Sequence, residues 1–125
     1  VYKAQLSGLP GRLGTGTYLK KLSNATKVAA NGTKACPSSL VRPTGYSCDE
    51  YPFRSTYQGA STSGATLARS FPGCRMPDPQ RTGSTGWSRC FIPTTQNSSA
   101  GGLLSAFYSN ERMLDGDLYQ VGYLP

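Results

Sequence analysis

The sequence predicts a small α+β domain stapled by disulfides, and three observations lead there. The chain has 125 residues, 37% of them hydrophobic, with 15 glycines and 9 prolines, so one modest core wrapped in turns is expected rather than a bundle of long helices. Four cysteines, Cys36, Cys48, Cys74 and Cys90, form an even set without a CxxC pair. Apolar residues alternate through Trp87–Pro93 but recur at helical spacing from Leu103 to Tyr108, so a strand and a helix are both signalled.

Taken in order, residues 1–34 carry Lys3, Arg12, Lys20, Lys21, Lys27 and Lys34 among Gly, Thr and Ser without a sustained helical period, which reads as short strands and exposed loops. Residues 36–60 hold two cysteines, Pro37, Pro43, Pro52 and a dense run of acids and aromatics from Tyr46 to Phe53. Residues 61–86 are polar and broken by glycine and proline, predicting a long surface loop with at most a helical turn near Leu67. Trp87–Pro93 reads as a strand with Trp87 and Phe91 on one face and Cys90 and Ile92 on the other. Gln96, Asn97, Ser98 and Ser99 then offer capping side chains to a helix from about 100 to 110, whose buried face is Leu103, Leu104, Phe107 and Tyr108. Asp115-Gly116 marks a turn, and Leu118–Leu124 closes the chain as a strand. No repeat or composition break divides residues 1–125, so a single domain is expected.

The chain has no histidine, which argues against a zinc site and leaves two disulfides as the role of the cysteines. Of the three connectivities, Cys36 with Cys48 and Cys74 with Cys90 is favoured, since each closes a short loop rich in proline and glycine. No apolar run of about 18 residues is present, so no membrane span is expected. The start at Val1 reads as a processed chain, and disulfides with three glycosylation triplets, at Asn24, Asn31 and Asn97, suggest a secreted, extracellular glycoprotein that is a monomer by default. A net charge of +7 attracts polyanions, and nucleic acid is the evident partner, with Lys20, Lys21, Arg42, Arg69, Arg75, Arg81 and Arg89 as candidates for backbone contacts. The same charge would also serve solubility or adhesion to an anionic cell wall.

Without histidine neither a Ser-His-Asp triad nor a Cys-His pair can be built, so any base is a carboxylate or a lysine of depressed pKa. Asp78, Asp115 and Asp117 lie in turns, where turn hydrogen bonding explains them, and Glu111 reads as a solvated helix-end residue. Asp49 and Glu50 differ: two adjacent negative charges stand between Cys48 and Tyr51-Pro52-Phe53. Either a divalent cation neutralises them or they pair with Arg42 or Arg54. Asn97 is similarly open between a helix cap and a metal-binding amide oxygen. The glycine-containing stretches lack the Gly-Lys-Ser/Thr ending of a phosphate loop.

The run Ser47 to Phe53, with Ser55 to Ala60 after it, resembles the NucA/NucB deoxyribonuclease family, and Gln96 to Tyr108 and Arg112 to Asp117 resemble its carboxy-terminal part in the same order, over roughly residues 36–121. The resemblance implies a ββα-metal nuclease core in which an aspartate stands where related nucleases have histidine. It implies an Mg²⁺- or Mn²⁺-dependent endonuclease acting on DNA with little sequence preference, and leaves RNA open as a second substrate. Asp49 would be the general base, Glu50 a metal ligand or orienting residue, and Asn97 a metal-site residue with Gln96 beside it. Arg54 stands where a small residue is expected after Tyr-Pro-Phe, and beside the metal site it would contact phosphate or stabilise charge in the transition state. Some members carry Asp-Arg before the acid pair and Asp before the asparagine, where this chain has Ser47-Cys48 and Gln96. A metal role leaves Asn97 unglycosylated and makes Asn24 and Asn31 the expected acceptors. Lys20, Lys21, Arg42, Arg54 and Arg89 would hold the DNA. The competing expectation is a cationic binding module that grips nucleic acid or cell wall without cutting.

Overall fold

Strand β2 (Tyr46–Tyr51) lies antiparallel to β4 (Trp87–Pro93), in a register that sets Cys48 opposite Phe91, Asp49 opposite Cys90 and Glu50 opposite Arg89. A two-residue strand, β3 (Ala68–Arg69), runs parallel to β4 on its other edge, giving the order β2-β4-β3. In the computed structural model, which describes residues 1–122, a second sheet pairs β1 (Leu19–Lys20) with β5 (Leu118–Tyr119). Three helices complete an α+β fold: α1 (Tyr2–Leu6), α2 (Ala25–Ala35) and α3 (Thr94–Asn110). Both disulfides form as expected, Cys36–Cys48 and Cys74–Cys90. No helix among the described residues is long and apolar enough to cross a membrane.

Side chains alternate along a strand and opposite residues share a face, so β2 and β4 have two distinct sides. Glu50, Arg89 and Trp87 point to the side of α2: Trp87 clusters with Ala35, and Arg89 Nη1 donates to the Ala35 carbonyl at 3.1 Å. Tyr51, on the other side with Asp49, joins Ala4, Leu9, Leu19 and Tyr119 in the main core, against which Leu104, Phe107 and Tyr108 of α3 pack. Trp87 and Phe91 are both buried, as the alternation of β4 predicts.

The first 34 residues correct the expectation of strands and loops. They hold α1 and α2, and only Leu19–Lys20 is a strand. Helix α2 includes two threonines, an asparagine and a glycine, so intrinsic propensity does not announce it. It is held by Asn24, whose Oδ1 accepts the Lys27 N–H at 3.0 Å, and by burial of Asn31, Gly32 and Ala35. Asn31 is 0% exposed. Its Nδ2 donates to the Arg54 and Thr56 carbonyls and to Thr62 Oγ1, while its Oδ1 accepts the backbone N–H groups of Ser61 and Thr62. Gly59 passes so close that a Cβ there would lie 2.3 Å from Asn31 Nδ2. The fold leaves no room for a glycan on Asn31, which corrects its expected role.

Helix α3 starts six residues earlier than expected, at Thr94, because β4 runs directly into it through Pro93 with no side-chain cap. The Thr94 N–H is satisfied instead by the Gly45 carbonyl at 3.0 Å, and its hydroxyl pairs with Ser47 Oγ at 2.9 Å. Gln96, Asn97, Ser98 and Ser99 therefore sit inside the helix rather than capping it. Leu103, expected on the buried face, is 73% exposed, and the face that packs is Leu104, Phe107 and Tyr108. Near Leu67 the chain is extended rather than helical, since the Leu67 carbonyl accepts the Trp87 N–H at the entry to β3. The predicted closing strand is regular only at Leu118–Tyr119, with a bridge from Val121 to Arg12; Tyr123 and Leu124 lie outside the described residues.

Candidate active site

The long excursion from Pro52 to Gly86 returns as β4 and continues as α3, so the end of β2 faces the start of α3 across a cleft of about 870 Å³. Asp49, Glu50, Arg54 and Ser55 form one wall, Asn97, Gly101, Leu104 and Phe107 of α3 the other, and Tyr119 and Val121 the end. Asp49 and Glu50 project to opposite faces of their strand, yet β2 is the edge of its sheet, so both reach the same cleft.

Glu50 is 7% exposed. Its Oε1 accepts Arg54 Nε at 3.0 Å, whereas Oε2 is buried with no hydrogen-bond partner among the described residues. Burial pushes its carboxyl up to about 7, a rise that the Arg54 guanidinium opposes only in part. Burial also pushes the Asp49 carboxyl above the ordinary carboxylate range. Arg54 is half-exposed, and beyond Nε its guanidinium donates no hydrogen bond among the described residues. Two enclosed carboxylates, one with an orphaned oxygen, thus face an asparagine amide across a cleft that one arginine overlooks.

Four of the residues singled out in the sequence, Asp49, Glu50, Arg54 and Asn97, meet in this cleft. Gln96 is exposed and does not line it. The Glu50 salt bridge forms with Arg54. Arg42 instead donates to the carbonyls of Cys36, Pro37 and Leu40, fastening the end of α2. Arg89 forks onto Asp78 at 2.7 and 3.0 Å with only 13% of its side chain exposed, so Asp78 is an ion-pair partner rather than a turn acid. Arg69 is buried, holding Ser7 Oγ and the carbonyls of Gly83 and Thr85. Lys20 is exposed over the Tyr57 ring, and Lys21 lies over the Tyr108 ring with its ammonium on Ser23 Oγ. Asp117 does accept a local turn N–H, from Leu114, while Asp115 reaches across the fold to the Ser23 N–H and the Tyr57 hydroxyl.

Sequence reasoning missed Ser55, Phe53, Tyr119 and Val121 as cleft residues. Ser55 lay within a noted motif, but nothing local marks Tyr119, which arrives from the second sheet. Among the described residues no group of three or more Asp, Glu, Cys or His forms a dedicated cation cage.

No curated protein and no solved structure matches the chain. The family described as deoxyribonuclease NucA/NucB matches residues 12–122, which takes in β1 and α2 and so begins well before the span from about residue 36 expected from motifs. With Asp49, Glu50, Arg54, Asn97 and both disulfides inside the matched span, the chain belongs to the NucA/NucB deoxyribonuclease family.

Proposed function

We propose that the cleft hydrolyses DNA phosphodiester bonds with the help of one divalent cation, as a secreted monomeric endonuclease of low sequence specificity. The observation that carries this reading is Glu50 Oε2, an enclosed acceptor without a donor among the described residues, beside the partly buried carboxylate of Asp49. Leaving such an oxygen unpaired is costly, and a hard cation relieves it. Glu50 and the Asn97 amide oxygen would hold Mg²⁺ or Mn²⁺, and the small number of protein donors suits an ion that keeps several waters. The strand–strand–helix succession β2, β4, α3 supports the ββα reading of the core.

When bound, the cation supplies Lewis-acid neutralisation of the phosphate and of the leaving oxygen. Asp49 takes the proton from the attacking water; its raised pKa makes it a stronger base than an ordinary carboxylate. Arg54 orients Glu50 through Nε and turns its remaining N–H groups to a phosphate oxygen. Lys20 and Lys21 grip the DNA backbone, a contact that carries affinity without reading sequence. Arg42 and Arg89, engaged inside the protein, support the fold rather than the DNA in this reading, and Gln96 is left out of the metal set. Two disulfides fit an oxidising, extracellular setting.

Plasmid cleavage by the wild-type protein and by Asp49→Ala, with Mg²⁺ or Mn²⁺ and with excess chelator, tests the proposal. Cutting should vanish in chelator and fall by about 10²–10⁴-fold in the variant. Cutting that survives chelation would remove the cation, and wild-type protein that binds but never cuts would leave a DNA-binding module.

A further inference from the structure

Three hydroxyl groups form a chain that begins in the core and ends in the wall of the cleft. Tyr119 OH lies 2.5 Å from Tyr108 OH, which lies 2.8 Å from Ser55 Oγ. Three hydroxyls bring three hydrogens to two hydrogen bonds, so one hydrogen is left over, and burial decides which. Tyr119 is only 6% exposed and Tyr108 is its sole hydrogen-bond partner among the described residues, so an unpaired phenol hydrogen there would carry the penalty of a buried orphan donor. Tyr119 therefore donates to Tyr108. The Tyr108 oxygen could accept from Ser55 as well, but that would leave the phenol hydrogen of the partly buried Tyr108 without an acceptor; with Tyr108 donating to Ser55, the free hydrogen is that of Ser55, which lines the cleft. Burial and the bond to Tyr108 hold the Tyr119 phenol far above its ordinary pKa, which agrees with Tyr119 as a constant donor.

We propose that Ser55 binds a phosphate oxygen of the substrate, its hydroxyl hydrogen turned into the cleft by the Tyr119–Tyr108 chain. This rests on the reading of the cleft as a DNA-hydrolysing site. Ser55 follows Arg54 directly and lines the same wall. With Tyr108 donating to its oxygen, Ser55 presents a hydrogen and selects an acceptor such as a phosphate oxygen over the N–H of a base. Asp49 and Glu50 repel a phosphate, and a fixed donor beside Arg54 offsets part of that repulsion where the strand must sit. Tyr108 and Tyr119 are positioning residues, and Ser55 alone touches substrate.

The test uses the full chain as Ser55→Ala, Ser55→Thr and Tyr108→Phe, with two measurements on one fluorescent DNA: binding in excess chelator, and KM with kcat in Mn²⁺. Ser55→Ala should weaken binding and raise KM by about 5- to 10-fold, as expected when one hydrogen bond to a charged group is removed, with kcat within about twofold. Ser55→Thr, which keeps the hydroxyl, should return both to within about twofold of wild type, and Tyr108→Phe should raise KM by about threefold as the orientation is lost. Ser55→Ala with wild-type binding and KM overturns the proposal, whatever its melting temperature, and so does a Ser55→Thr protein as weak as Ser55→Ala. If the wild type cuts no DNA at all, the reading of the site fails, while binding in chelator still decides whether Ser55 contacts phosphate.

Discussion

Arg54 Nε sits 3.0 Å from one oxygen of Glu50 while the other oxygen is enclosed without a donor among the described residues, so one carboxylate is half paired and half open. Its pH behaviour follows from that. Glu50 titrates at about 7 in the fold against 4.5 for its ordinary value, so the folded protein keeps a proton that the unfolded chain gives up between those limits. The stability from this group is fully present below pH 4.5 and is lost as pH rises through about 7, and the raised Asp49 acts in the same sense. Metal-free protein should lose roughly 3 kcal/mol between pH 4.5 and pH 8 from Glu50. Mn²⁺ should restore melting temperature at pH 8 and have little effect at pH 5. Thermal melts in chelator and in Mn²⁺ check this, with Glu50→Gln expected to flatten the slope; a metal-free melting temperature that climbs from pH 5 to pH 8 would contradict it.

Asp49→Asn should separate chemistry from stability. The variant loses the proposed base, so cleavage should drop by about 10²–10⁴-fold, yet it also removes a charge that partial burial disfavours, so the melting temperature should hold or rise. Wild-type activity should increase as pH rises through the Asp49 pKa, since only the ionised form accepts the water proton. A variant that is inactive because it has unfolded would defeat the assignment.

Asn31→Ala should be among the most damaging substitutions outside the cleft. It strands the N–H groups of Ser61 and Thr62 and removes a donor from the Arg54 carbonyl, while the Thr56 carbonyl keeps the Gly59 N–H and the Thr62 hydroxyl, for a loss of about 2–4 kcal/mol in urea unfolding. Mass spectrometry of protein secreted from a glycosylating host should find Asn31 unmodified. A stably folded Asn31 glycoform would refute the packing described.

Lys20→Gln with Lys21→Gln should weaken DNA binding and reduce the slope of log affinity against log salt by about 1 to 2, one for each phosphate no longer neutralised. Arg89→Gln should leave that slope unchanged and lower stability instead, because it strips Asp78 of its partner. A reversed pattern in a salt titration would reassign the DNA-binding surface.

Much of the candidate cleft was legible because its residues are locally unusual. Asp49-Glu50 is an acid pair set against Tyr51-Pro52-Phe53 in a cationic chain, and cysteines in an even set without CxxC pairs point to disulfides. What could not be read is held by residues distant in sequence. Helix α2 depends on Asn31 reaching residues 54–62, and its poor propensity hides it. The start of α3 is fixed by Gly45 and Ser47, about fifty residues upstream, so side chains with good capping chemistry at Gln96–Ser99 were passed over for a cap made by the neighbouring strand. The basic residues divide for the same reason: composition counts Arg42, Arg69 and Arg89 with the lysines, but only the fold shows which of them face inward.

The pairing of β2 with β4 joins residues about forty positions apart, and Asn97 lies beyond them. No short stretch of the chain contains the cleft, so an unravelled molecule carries Asp49 and Asn97 on distant segments that nothing local brings together. If these residues do the cutting as proposed, cleavage appears only once β2, β4 and α3 have come together, and its regain after dilution from denaturant reports that long-range step of folding rather than any local one.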